Sequence, residues 1–148
     1  MYQRILVPVD GSHQSAVALE KAIQLAQQFQ AELFIATVID QRNFFTYNRH
    51  GVLSADFYTG VASYAQHLLN QAQIKAKTNG VLATTILAKG IPKKIIAHEL
   101  PHQYNIDLVI IGKSQRDVLA KLLSSSTSNY VIRYGKSKVL VVNHENSY

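Results

Sequence analysis

Apolar residues in this chain fall into two kinds of run that alternate along its length. Ile5 to Val9 is a short, largely β-branched run closed by Asp10-Gly11-Ser12, which predicts a buried strand, a turn and a helix N-cap. Leu19, Ala22, Ile23, Ala26 and Phe29 then recur at helical spacing, one stripe of an amphipathic helix. Leu33 to Ile39 reads as the second strand. Val61, Ala65, Leu68, Leu69, Ala72 and Ala76 mark a second helix that closes near Asn79-Gly80, where a left-handed cap is natural. Val81 to Ala88 predicts the third strand, and Gly90-Ile91-Pro92 opens a third helix, with proline in the first turn where its missing N–H costs nothing. Pro101 cannot donate to the carbonyl of Ala97 and its ring crowds that carbonyl, so this helix is expected to kink or end near Leu100. Leu108 to Ile111 is the fourth strand, about Ser125 to Tyr134 the fourth helix, and Val139 to Val142 the last strand.

Strands alternating with helices, each strand an almost unbroken apolar run, predict a parallel sheet covered on both faces. The fold class expected is α/β, a single domain over residues 1–148 arranged as a three-layer open sheet, with 143–148 a frayed tail. Asp40 to Phe57 exceeds the usual connection in such a sheet and carries Phe44, Phe45, Tyr47 and Phe57, with Tyr58 beside them. A lid, a partner-binding flap and a satellite cluster under a long loop are all open to it. Val139, Leu140, Val141 and Val142 fall at a sheet edge. An apolar edge is usually protected by pairing, so these residues are the candidate dimer edge.

Composition narrows the functions. With 148 residues, 47% hydrophobic and 16% charged, the chain reads as a soluble globular protein. No apolar run approaches the roughly 20 residues of a membrane span, and no membrane partner is expected. The opening segment has too short an apolar core for a signal peptide, which makes a cytoplasmic location the expectation. The absence of cysteine excludes disulfides, thiolate nucleophiles and cysteine-based metal sites. The net charge of +6 is uneven: residues 75–138 hold eleven Lys or Arg against Glu99, Asp107 and Asp117. Such a field attracts phosphate-bearing ligands or nucleic acid, but a solvated lysine-rich face is the commoner explanation, and no aromatic-interleaved basic motif singles out nucleic acid.

Candidate chemistry concentrates after the fourth strand, where Gly112-Lys113-Ser114-Gln115 leads to the hydroxyls Ser124 to Thr127 at a helix start. An apolar strand ending at glycine before a helix is how open α/β sheets build phosphate sites. With Lys113, Arg116 and Lys121 nearby, this is a candidate anion seat; serines at an N-cap are also simply what a helix start needs. Asp10 is open to a ligand role and to a turn or capping role alike. His98-Glu99-Leu100-Pro101-His102 matches the zinc-protease pattern His-Glu-x-x-His, but Pro101 breaks the turn that must aim both imidazoles one way, and no metal site is expected. No catalytic residue is identified, since nucleotide hydrolysis needs a metal site, a water-orienting base and phosphate clamps in one place.

In order and spacing these pieces resemble the universal stress proteins over nearly the whole chain. Ile5-Leu6-Val7-Pro8-Val9-Asp10-Gly11-Ser12, Gly90-x-Pro92, Asp107-Leu-Val-Ile-Ile-Gly112 and Val139-Leu-Val-Val142 carry the likeness. The resemblance implies a five-stranded parallel sheet of the adenine nucleotide alpha-hydrolase-like kind, and a homodimer. Family members that bind ATP carry Gly-x2-Gly-x9-Gly-[Ser/Thr] after the fourth strand. Here Gly112 matches the first glycine, Gln115 replaces the second, Ser125 the third, and Ser126 matches the hydroxyl. This pattern is similar to the universal stress protein A type, regarded as not binding ATP. Asp10 matches the acidic residue after strand one, and Val38 the strand end near adenine. The candidate nucleotide- or anion-binding residues are therefore Asp10, Val38, Gly112, Lys113, Gln115, Ser125 and Ser126. The function expected is a non-enzymatic, dimeric stress-response binding or interaction module with weak or absent ATP binding and no required cofactor. The alternative is an AMP- or ATP-binding nucleotide sensor, and a nucleic-acid-binding protein is the third class.

Overall fold

The computed structural model describes residues 1–40, 42, 55–113 and 127–143, with the backbone alone at 55–57. In chain order the elements are β1 (Arg4–Pro8), α1 (His13–Phe29), β2 (Glu32–Asp40), α2 (Ala55–Thr78), β3 (Ala83–Gly90), α3, β4 (Leu108–Lys113), α4 (Thr127–Tyr134) and β5 (Lys138–Asn143). Helix α3 is a run of three stretches: Pro92–Lys94, a π-helical turn Ile95–Glu99, and Leu100–Tyr104. The five strands form one parallel sheet in the order β3-β2-β1-β4-β5. The chain winds one way from β1 to β3 and then crosses to β4, so β1 and β4 flank the switch point of the sheet.

Side chains alternate across the pleat, and both faces are apolar because both are covered. Ile5, Val7, Leu33, Ile35, Leu108 and Ile110 pack with Ala18, Leu19, Ala22, Ile23 and Ala26 of α1 and Leu69, Ala72 and Ala76 of α2. On the other face Leu6, Phe34, Ala36, Val109 and Ile111 pack with Ile95, Ile96, Ala97 and Leu100 of α3 and Val131 of α4. Each fully buried aliphatic side chain contributes about 1.5–3 kcal/mol.

Four boundaries differ from expectation. The third strand begins at Ala83 rather than Val81, because the Val81 N–H donates to Ala76 O and the Gly80 N–H to Lys77 O, closing α2. Helix α2 begins at Ala55, inside the expected connector, whose Phe44, Phe45 and Tyr47 lie outside the described residues. Helix α3 does not end near Leu100; it passes Pro101 and continues to Tyr104. The π turn before it is the reason: the Leu100 N–H reaches Ile95 O, five residues back, and the extra residue in the turn accommodates the proline ring. Leu100 and Pro101 are both buried, so packing holds the distorted helix in place. Asn143, expected in the tail, is the last residue of β5, and 144–148 lie outside the described residues.

Candidate functional site

The turn after β1 is a closed set of local hydrogen bonds. Asp10 Oδ1 accepts the Ser12 N–H at 2.9 Å, an Asx turn. Ser12 is the N-cap of α1, its Oγ accepting the Ser15 N–H at 3.1 Å. The Ser15 hydroxyl donates back to Ser12 O and accepts the Asp10 N–H. Between them Gly11 has φ +87°, a conformation that residues with a side chain rarely adopt, so the backbone of the turn favours glycine. Buried Thr37 on β2 donates to Val9 O at 3.0 Å and fixes the chain as it leaves β1.

This turn forms one wall of a 230 Å³ crevice at the carboxyl ends of β1 and β4. Pro8, Val9, Val38, Ile96 and Ile111 give it an apolar lining, and Asp10, Ser12, Ser15, Thr127 and Ser128 the polar groups. The beginnings of α1, α3 and α4, as far as they are described, all meet here, and none carries an acidic residue in its first turn. Helix N-termini present unpaired N–H groups and the positive end of the peptide dipoles. Asp10 is the sole carboxylate among the described lining residues, so the balance suits an anion with an apolar portion.

Of the sequence candidates, Asp10, Val38 and Gly112 come together in this crevice. A Cβ on Gly112 would lie 2.0 Å from the carbonyl oxygen of Gln14, so the close approach of α1 by itself requires glycine there. Lys113 is buried and does not line the crevice; its Nζ donates to Asn129 Oδ1 of α4 at 2.6 Å. Gln115, Ser125 and Ser126 lie outside the described residues. Thr127, named from the sequence in the hydroxyl run of the candidate anion seat, lines the crevice, whereas sequence reasoning missed Ser15, Pro92, Ile96 and Ser128, although Ser15, three positions after the N-cap, carried a local signal.

A second, wider groove of 890 Å³ lies at the opposite, amino ends of β4 and β5. Ala97, Pro101 and Ile106 contribute apolar surface, with His98, His102, Lys136 and Lys138 among the polar residues. The Asp107 carboxylate here accepts the N–H groups of Gln3 and Arg4 at 2.9 and 3.0 Å, and the Ser137 hydroxyl donates to Ile106 O. Both histidines of the His-Glu-x-x-His pattern border this groove, His98 Nε2 lying 3.1 Å from the Tyr130 hydroxyl. Among the described residues no three His, Asp or Glu side chains are grouped to hold a metal.

The family model for the universal stress protein family matches residues 1–143. A relative from Staphylococcus aureus (strain USA300), assigned by name to the universal stress proteins, is 36% identical over 145 residues, 97% of this chain and 86% of its own. Among solved structures, the universal stress protein UspA from Lactobacillus plantarum is 28% identical, with a TM-score of 0.77 over 95% of this chain and 97% of that one. A universal stress protein crystallised in complex with cAMP is 26% identical, with a TM-score of 0.70 over 96% and 97%. The chain belongs to the universal stress protein family.

Proposed function

We propose that this protein is a non-enzymatic, dimeric binding module of the cytoplasm whose crevice between β1 and β4 holds a small anionic ligand of the adenine mononucleotide class, with ATP bound weakly or not at all. The observation that carries the reading is the crevice itself: converging helix starts, one carboxylate and an apolar wall. Its described lining holds no lysine or arginine to clamp a triphosphate, which favours a smaller anion. Side chains at positions 115 and 125, where ATP-binding relatives have glycine, act in the same direction. The cAMP-bound relative supports adenine as the apolar portion. For a non-enzymatic role, the described lining residues include no histidine or lysine to relay a proton, and Asp10 is engaged by its own turn.

The dimer reading rests on β5, an edge strand whose Val141 is 38% exposed. Sedimentation of the wild type and Val141→Lys tests it: dimer for the first and monomer for the second is expected, and a monomeric wild type refutes it. The ligand reading is tested by melting temperature with millimolar AMP, cAMP, Mg-ATP and GTP. A rise with AMP or cAMP, a smaller one with Mg-ATP and none with GTP is expected from mass action. No rise with any of them removes the reading. The cAMP-bound relative also favours a second reading, a nucleotide sensor, which an ATP response equal to that of AMP would select.

A further inference from the structure

We infer that Thr37 is a positioning residue of the crevice: its buried hydroxyl fixes Val9 and Val38, two of the apolar walls, in one register and sets the point from which the Asp10 turn departs. This rests on the crevice being a ligand site. Thr37 lies in β2 within the apolar run Leu33 to Ile39 and, with Lys113, makes up the buried polar side chains among the described residues. Its Oγ1 donates to Val9 O at 3.0 Å. Valine has the same shape and branching and carries no polar group to desolvate, so a hydroxyl at this depth is held for what it bonds.

The bond falls where the β1–β2 ladder stops. Its last register pair is Pro8 with Ala36. One residue further the Val9 N–H still donates to Ala36 O at 2.8 Å, and then Asp10 turns away into the Asx turn that leads to α1. Val9 is 7% exposed, so its carbonyl without a donor would bear the full cost of desolvation. The Thr37 hydroxyl is that donor, and Val9 is thereby bonded to β2 through both of its backbone groups as the chain leaves the sheet. Thr37 does not itself line the crevice, but the residues on both sides of the link do: Val9 and Asp10 on the outgoing chain, and Val38 next to Thr37. One hydrogen bond therefore decides how these walls stand to each other. Without it, the Val9 carbonyl has to find a donor in the crevice, and the chain from Val9 to Ser12 has to shift to reach one.

The test combines AMP titration, thermal denaturation and amide hydrogen exchange for wild type, Thr37→Val and Thr37→Ser. The first variant keeps the shape and removes the hydroxyl; the second keeps the hydroxyl and removes a methyl group. Both are expected to melt below wild type, one for the unpaired carbonyl and the other for the cavity. They part on binding: AMP is expected to be about tenfold weaker in Thr37→Val, the equivalent of one buried hydrogen bond, and within about twofold of wild type in Thr37→Ser. Exchange at Val9, Asp10 and Ser12 is expected to quicken in Thr37→Val and not in Thr37→Ser, a readout that needs no ligand. A residue that merely stabilised the fold would make AMP affinity follow the melting temperature in both variants. Unchanged AMP affinity in Thr37→Val, equal losses in the two variants, or a Thr37→Val protein that does not fold overturns the inference. A wild type that binds no AMP overturns the crevice reading, whereas unchanged exchange in Thr37→Val overturns the positioning role whether or not AMP binds.

Discussion

At the amino ends of the strands the molecule has a groove of 890 Å³, and at the carboxyl ends a crevice of 230 Å³, and the two differ in what their polar groups are committed to. At the amino end, polar groups are committed to structure. Asp107 accepts two backbone N–H groups, Ser137 caps Ile106 O, and Arg4 donates to Tyr104 O at 2.6 Å, pairs with Glu32 at 2.7 Å and lies over Phe34. These contacts tie β1, β2, α3 and β4 together at their starts. At the carboxyl end, helices begin rather than finish, and parallel strands direct those beginnings to one side. The direction of the strands, more than the volume of a cavity, decides which end gathers the helix beginnings.

The largest effect that would break this contrast is at Gly112. Gly112→Ala forces the Gln14 carbonyl away from a Cβ 2.0 Å distant, so a loss of about 3 kcal/mol in urea denaturation and of any AMP-dependent shift is expected. Asp107→Ala removes a charged acceptor for two backbone N–H groups and is expected to cost about 2 kcal/mol while leaving the AMP shift intact. If that shift disappears, the two ends are coupled and the contrast fails. Ser12→Ala removes the N-cap of α1 and loosens the Asp10 turn; thermal denaturation should show a loss of about 1 kcal/mol, and titration a weaker AMP complex.

The smallest effect concerns Asp40 at the end of β2. The hydrogen bond from the Arg42 guanidinium, against the opposing effect of burial, holds the Asp40 carboxyl below its ordinary value. A depressed folded-state value means that its stabilisation is complete above the ordinary carboxylate value and is lost as pH falls through the lowered one. Asp40→Asn is therefore expected to lower the melting temperature slightly at neutral pH and to match wild type in strong acid. A difference that persists in acid would assign the effect to packing.

Much of the scaffold was legible because its signals are local. The Asp10-Gly11-Ser12 turn is written in residues that bond to their own neighbours, and the apolar runs of β1, β2 and β4 need only the pleat to become a core. Of the two outcomes expected at Pro101, a kink or an end near Leu100, the helix does not end, because the burial of Leu100 and Pro101 holds it and a π turn that sequence spacing does not announce relieves the proline. Val81 reads as strand by composition, but its N–H is taken by the cap of α2. The candidate site was half legible. Asp10, Val38 and Gly112 were named from the sequence, whereas Ser15, Ile96 and Ser128 have no pattern in common until the sheet brings them together.

By itself the sequence determined the alternation of strand and helix, the residues that face inward and the turn that starts α1, since each depends on contacts within a few residues. Tertiary structure alone decided that Gly112 is crowded by the Gln14 carbonyl, that Lys113 is buried against Asn129, and that the described beginnings of α1, α3 and α4 share one crevice. Those facts depend on strand order, β3-β2-β1-β4-β5, which sets β1 beside β4 although about a hundred residues separate them, and nothing in local periodicity specifies that adjacency.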